Sequence, residues 1–226
     1  MHGKMTTHPQ ILATKLSRHG WVLHESSDRE DAGILCELDR VGEMLGTRAP
    51  GRAGAIEETI RPQAPDEAHP RSLSARFGLD ALPFHIELSH RPRPCRYLLL
   101  GCLDPGLSRT ATMLLDWRTL GFAADELQLL ESAPVLVRTG RRSFYSTILS
   151  PDRAFLRYDP GCLEAVDARG RSALNLLRQR LRGASSEVHH WCRGDILIID
   201  NWRTLHGRAP SQQSSGRRLA RMLIDA

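Results

Sequence analysis

The sequence predicts a mainly β fold with flanking helices, built as a sandwich or barrel. Three observations carry this expectation. Stretches of five to nine residues (ALPFHIEL, YLLLGCL, APVLVRT, RSFYSTIL, FLRYD, DILIID and RRLARMLID) show two-residue alternation or β-branched and aromatic content. Helical periodicity is confined to a few segments and never alternates with strands in regular βαβ order. The length, 226 residues, is that of one domain spanning 1–226 when roughly 150 residues make a domain.

Taken in order, residues 8–25 open on a helical period, with Ile11, Leu12 and Leu16 on one face. Gly20 stands where a helix C-terminus favours glycine. WVLHE at 21–25 then reads as a short strand. A second helix is expected over 30–46, where Ile34, Leu35, Leu38, Val41 and Leu45 recur at helical spacing before Gly46. From 47 to 72 Pro, Gly, Arg and Glu predominate, and only IEETI suggests a strand. A loop of that length inside a compact domain is more often a lid or binding segment than an idle connector. The strand-rich text begins at ALPFHIEL and is interrupted by helical stretches at 113–131 and 171–183.

Composition removes several function classes. Hydrophobic residues at 41% and charged residues at 25% are ordinary for a globular chain, which excludes collagen-like, mucin-like and wholly disordered proteins. No window reaches the roughly 18 uninterrupted apolar residues of a membrane helix. MHGKMTTHPQ lacks the apolar stretch of a secretory signal, so a cytoplasmic protein is expected. The five cysteines (36, 95, 102, 162 and 192) form no close C-x-x-C pair, which suits reduced thiols rather than a disulfide framework or zinc knuckle. The net charge is +5, and of 31 basic residues only Lys4 and Lys15 are lysines. The arginines are scattered among acids rather than gathered in a stripe, so nucleic acid is not the expected partner.

Two constellations bear on chemistry. In an extended PFHIEL, residues two apart share a face, so His85 and Glu87 project together. A third ligand must come from elsewhere, and His206, just beyond the apolar run of GDILIIDNWRTLHGR, is the candidate. Two histidines and one carboxylate on one face of a metal form the triad of non-haem Fe(II) oxygenases and leave open positions. The second constellation is GRRLARMLIDA. Alternation puts Arg217, Leu219, Arg221 and Leu223 on one face and Arg218, Ala220, Met222 and Ile224 on the other. Neither face is purely polar, so an arginine faces the interior, where a guanidinium needs an anion. Its planar fork suits a carboxylate in a way lysine does not.

With these residues in hand the sequence resembles the Fe(II)/2-oxoglutarate-dependent dioxygenases of the taurine dioxygenase (TauD/TfdA) superfamily, and within it the clavaminate synthase-like branch. SLSARFGLDALPFHIE, RPRPCRYLLLGCL and GDILIIDNWRTLHGR with GRRLAR carry the likeness, over about 72–226 with a weaker stretch between 120 and 190. The resemblance implies a double-stranded β-helix, the cupin-like jelly roll. It implies Fe(II) held by His85, Glu87 and His206, with 2-oxoglutarate and O2 as co-substrates. Arg217 would take the distal carboxylate of 2-oxoglutarate, and Thr112, favoured over Thr110, would join it. The alternative for Thr112 is a helix N-cap before MLLDW. Arg221 would lie nearer the metal and orient the proximal carboxylate or the substrate. Asp159, Ser74 and Tyr145 are candidate substrate residues, with Asp159 suited to a cationic group. Retention of Glu87 argues for hydroxylation rather than halogenation. The implied substrate is a small polar metabolite, an amino acid or derivative, and a homo-oligomer is left open. A silent jelly-roll binding protein, or an oxygenase acting on nucleic acid or another large substrate, stand as alternatives.

Other motifs mislead. HHWC (189–192) invites a metal, but neighbours on a strand point to opposite faces, so no independent site is expected there. GRAGA has neither the lysine nor the context of a phosphate loop, and no G-x-S-x-G elbow occurs.

Overall fold

A computed structural model describes residues 9–51, 54, 57–107, 110–139, 142–212 and 216–226. The initial MHGKMTTH, most of GRAGA and Ile56 of the expected IEETI strand lie outside the described residues. In chain order the elements are α1 (Pro9–His19), β1 (Trp21–Glu25), α2 (Asp31–Glu43), β2 (Thr47–Ala49), β3 (Glu57–Ile60), α3 (Leu73–Phe77), β4 (Leu82–His85), β5 (Tyr97–Asp104) and β6 (Thr112–Asp116). They continue with α4 (Ala124–Ser132), β7 (Val135–Val137), β8 (Phe144–Ser146), β9 (Leu163–Ala165), α5 (Ala168–Gly183), β10 (Glu187–His189), β11 (Asp195–Asp200), β12 (Thr204–Arg208) and β13 (Arg218–Asp225).

One sheet runs β1-β11-β5-β13-β2, with β3 also paired to β13; a second runs β10-β6-β12-β4; a small third runs β8-β7-β9. Side-chain alternation explains the layers. Leu99, Leu103, Ile196, Ile198, Ala220, Met222 and Ile224 face one way and pack on Leu12 and Leu16 of α1 and Ile34, Leu38 and Val41 of α2. Their strand neighbours Leu98, Leu100, Leu197, Ile199, Leu219 and Leu223 face the other way, into the interior with Leu114 of β6. The first sheet is therefore buried on both faces, which is why β5 and β11 read as continuous apolar runs. Each such Leu or Ile taken fully from water contributes about 1.5–3 kcal/mol. Behind the second sheet, Ile86, Leu115 and Leu205 pack against α4, α5 and the third sheet through Leu130, Leu174, Leu177, Val135 and Val137.

Gly20 closes α1 at φ +81°, a conformation glycine adopts without strain, and the chain turns directly into β1. The expected α2 and α5 are present, α5 starting three residues early because Asp167 caps it by accepting from Gly170 N at 2.7 Å.

Three expectations need correction. The 113–131 segment is not one helix: residues 112–116 form β6, a 3-10 turn spans Trp117–Leu120, and only Ala124–Ser132 is α-helical. Asp116 caps that turn through Arg118 N, and Gly121 at φ +64° ends it, so the apolar run is split by local capping. Thr112 accordingly opens a strand and does not cap a helix. FLRYD is not a strand: Leu156 makes one isolated bridge to Leu149, and Tyr158 O accepts from Ile86 N at 2.9 Å. The 47–72 loop holds β2 in addition to the expected strand at IEETI, which is β3, and both pair with β13.

Candidate active site

The two histidines meet through strand register. β12 lies between β4 and β6, and His206 stands directly opposite His85 with ring centroids 4.2 Å apart. The β4–β12 ladder slips after this pair. Pro83 lies in that stretch without an N–H to give, and its carbonyl instead accepts from His85 Nδ1 at 2.9 Å. A carbonyl only accepts, so Nδ1 carries the proton and Nε2 keeps its lone pair. Gly207 is required between the strands: a Cβ there would sit 2.9 Å from Leu82 O and 3.1 Å from Met113 Cε. His206 is buried, and burial, then the charge of His85, lowers its pKa well below the usual histidine value. It is a neutral imidazole, with Nδ1 buried and without a hydrogen-bond partner.

Glu87 lies two residues past the end of β4, yet alternation persists, with Ile86 packed into the opposite core. The Asn201 side chain replaces a strand partner here. Its Oδ1 accepts from Glu87 N at 2.7 Å, and its Nδ2 donates to Glu87 O at 3.0 Å and to Cys95 O at 2.9 Å. Arg221 donates to Glu87 Oε2 at 2.9 Å and also pairs with Glu58, its cross-strand neighbour on β3. Burial alone would raise the Glu87 pKa, but Arg221, His85 and His206 outweigh it and bring the carboxyl down to about 2. The donor atoms of His85, Glu87 and His206 all lie within 4.8 Å of one another, and they are the only such group of three among the described residues. Two imidazoles beside an ionised carboxylate are the donor set a hard-to-intermediate divalent cation takes.

The cluster lines a cavity of about 360 Å³ between the two large sheets. Thr112 and Arg208 enter it from the second sheet, Arg217 and Arg221 from the β13 side, and Ser74 and Asp159 from α3 and the segment before β9. Arg217 is 5% exposed and donates to Thr110 O at 3.0 Å. Burial pushes its pKa down to about 10, so it remains a cation at neutral pH. Arg218, one residue on, points away and pairs with Asp31 on α2 at 3.0 Å, as the alternation requires. Asp159 is buried, and its Oδ1 accepts from Gly161 N at 2.6 Å.

The structure thus gathers the sequence-derived His85, Glu87, His206, Thr112, Arg217, Arg221, Asp159 and Ser74 around one cavity. Tyr145 is not among them: it stands 71% exposed on β8, because that strand belongs to the small third sheet. The HHWC histidines build no second cluster among the described residues; His189 Nε2 lies 3.2 Å from Asp195 Oδ2 instead. Sequence reasoning missed Asn201 and Arg208 although both belong to the DNWRTLHGR motif. Arg208 is buried and donates to Gly78 O and Asp80 O at 2.6 and 2.7 Å, tying the end of α3 to β12. Glu58 and Trp191 carried no signal that the sequence alone exposes.

Two facing antiparallel sheets with a two-histidine, one-carboxylate cluster between them make a double-stranded β-helix. Residues 124–223 match the family model described as taurine catabolism dioxygenase TauD, TfdA family; the match includes His206, Arg217 and Arg221, whereas His85 and Glu87 precede it. Among solved structures, asparagine oxygenase in complex with Fe(II), 2S,3S-3-hydroxyasparagine and succinate is similar at TM-score 0.76 and 18% identity, covering 96% of this chain and 78% of that one. The non-heme iron oxygenase OrfP with Fe and alpha-ketoglutaric acid is similar at TM-score 0.75 and 21% identity, covering 96% and 79%. OrfP with Fe, succinate and (3S)-hydroxy-L-Arg matches at TM-score 0.73 and 19% identity, covering 96% and 83%. At these identities the structures establish the fold. The chain is thus similar to the TauD/TfdA family over residues 124–223 and shares the fold of these oxygenase structures over nearly its whole length.

Proposed function

We propose that this chain is an Fe(II)- and 2-oxoglutarate-dependent oxygenase that hydroxylates or otherwise oxidises an unactivated C–H bond of a small polar metabolite, an amino acid or derivative. The observation that carries the reading is the convergence of His85, Glu87 and His206 at one wall of a cavity that Arg217, just before β13, also lines. His85, Glu87 and His206 would hold the iron, with Pro83 fixing one imidazole tautomer and Asn201 fixing the carboxylate's backbone. Bound iron with 2-oxoglutarate and O2 would supply the oxidising power, releasing succinate and CO2. The chain's own residues bind and orient. Arg217 offers a buried cation to the distal carboxylate, with the Thr112 hydroxyl beside it. Arg221 keeps Glu87 ionised and occupies its Oε2. Asp159 and Ser74 line the cavity, and Asp159 offers a carboxylate to a cationic group of the substrate. The cavity falls within the roughly 300–1,000 Å³ of small-molecule sites, which supports a free small substrate over nucleic acid.

Asparagine oxygenase and OrfP, the latter with a hydroxylated arginine bound, support an amino-acid substrate for this chain as well. The whole chain acts as one catalytic unit in this reading. A cytoplasmic setting is supported by five cysteines that are thiols rather than disulfides. No helix of the described residues is long and apolar enough to cross a membrane. The test is a mass-spectrometric screen of amino acids, their derivatives and dipeptides. The expected result is succinate release together with a gain of one oxygen atom that requires both Fe(II) and 2-oxoglutarate. No 2-oxoglutarate turnover with any of them would count against the reading.

A further inference from the structure

Trp191 belongs to the HHWC segment, whose histidines form no metal cluster, and its place is explained by something else. Its indole is buried at 6% exposure among Leu100, Cys102, Leu114 and Leu219. Nε1 donates to Thr112 Oγ1 at 3.1 Å. The His189 ring, opposite Thr112 in the β10–β6 register, stands edge-on to the indole at 4.5 Å and holds it in place.

An indole N–H can only donate, whereas a threonine hydroxyl has one proton to give and two lone pairs. Receiving the indole proton therefore fixes Thr112 Oγ1 as an acceptor on the core side and leaves its own O–H to be given elsewhere. Thr112 lines the cavity, as does Arg217, whose guanidinium donates to Thr110 O two residues before the same strand. Thr112 and Arg217 thus line the same cavity, where one anion can meet both.

We propose that Trp191 is a positioning residue for the co-substrate: by donating to Thr112 Oγ1 it orients that hydroxyl to donate to the carboxylate held by Arg217. This inference rests on the 2-oxoglutarate reading above. A hydrogen bond to an ionised carboxylate corresponds to about a ten-fold or larger change in affinity.

The experiment is calorimetric binding of 2-oxoglutarate to the Mn(II)-loaded full chain and to the variants Trp191→Phe, Thr112→Val and the double variant. Trp191→Phe and Thr112→Val are each expected to weaken binding by about ten-fold, and the double variant no further than Thr112→Val alone. In turnover, the loss falls on KM for 2-oxoglutarate, with kcat kept at saturation. Unchanged affinity in Trp191→Phe, or effects that multiply in the double variant, would overturn the inference while leaving the oxygenase reading intact. Absence of 2-oxoglutarate binding to the unaltered loaded chain would overturn both. Should Trp191→Phe fail to fold, the indole N–H resonance of Trp191 in the unaltered 15N-labelled chain decides: 2-oxoglutarate is expected to shift it, and no shift overturns the inference.

Discussion

Asn201 shows what a single buried amide does for the candidate site. It is fully buried and gives Glu87 the N–H and C=O partners that a neighbouring strand would otherwise supply, while also holding Cys95 O. Glu87 can thereby leave the β4 ladder and turn its carboxylate toward the histidines without stranding a backbone polar group. Replacing Asn201 by Ala leaves these groups unsatisfied, at about 1–3 kcal/mol for each one buried. The expected outcome is a loss of roughly 2 kcal/mol or more in urea unfolding and a lower affinity for divalent metal, both read on one preparation. Stability lost with metal affinity untouched would show that the amide supports the fold alone. Arg157 is another residue of this kind, buried at 1% exposure and donating to Ser89, Arg91 and Pro92 carbonyls in the segment after Glu87.

At the scale of elements, β12 is the strand on which the site depends. It carries His206 toward the cavity, Leu205 toward the core behind, and Gly207 at the point where β4 approaches within reach of a single methyl group. A Gly207→Ala change must push Leu82 O outward and so separate the paired histidines. The expected cost is about 1–3 kcal/mol of stability, with a drop in metal affinity measured by competition with a chromogenic chelator. Much of this element logic was legible beforehand. The alternation of GRRLARMLID separates Arg217 and Arg221 from Arg218, and the structure turns the first pair to the cavity and Arg218 to α2; H-x-E places two ligands on one side even where the regular strand has ended. What was not legible depends on partners distant in sequence. Apolar periodicity cannot tell a short buried strand from a helix, so the helical stretch expected at 113–131 takes in residues 113–116 of β6. Tyr145 was misplaced because nothing local says that β8 pairs with β7 in a separate small sheet. Trp191 and Glu58 act across the fold through Thr112 and Arg221, and no spacing rule connects such pairs.

For the whole molecule, charge and layering combine. Helices α1 and α2 cover one outer face, α4, α5 and the third sheet cover the other, and the ionisable groups sit between and around them. On α2, Glu37 is hydrogen-bonded first by Arg40 and also by His24, which brings its pKa from 4.5 down to about 2. A carboxyl with a depressed folded-state pKa contributes stability that is present above its unfolded value and lost as pH falls through the folded one. Glu87 has the same sign, while burial raises Asp200 and opposes them. The metal-free chain is therefore expected to keep its Tm from neutrality down to pH about 4.5 and to lose it progressively toward pH 2; a Glu37→Gln variant should show a shallower fall. In the proposed function, three side chains from β4, its extension and β12 form one iron site served by 2-oxoglutarate. Addition of Fe(II) and then 2-oxoglutarate under anaerobic conditions decides whether they do. One iron per chain is expected, with a visible charge-transfer band that needs both additions and disappears in His206→Ala. Iron uptake that is equal in the unaltered chain and in His206→Ala, or no band on adding 2-oxoglutarate, would contradict the proposed function.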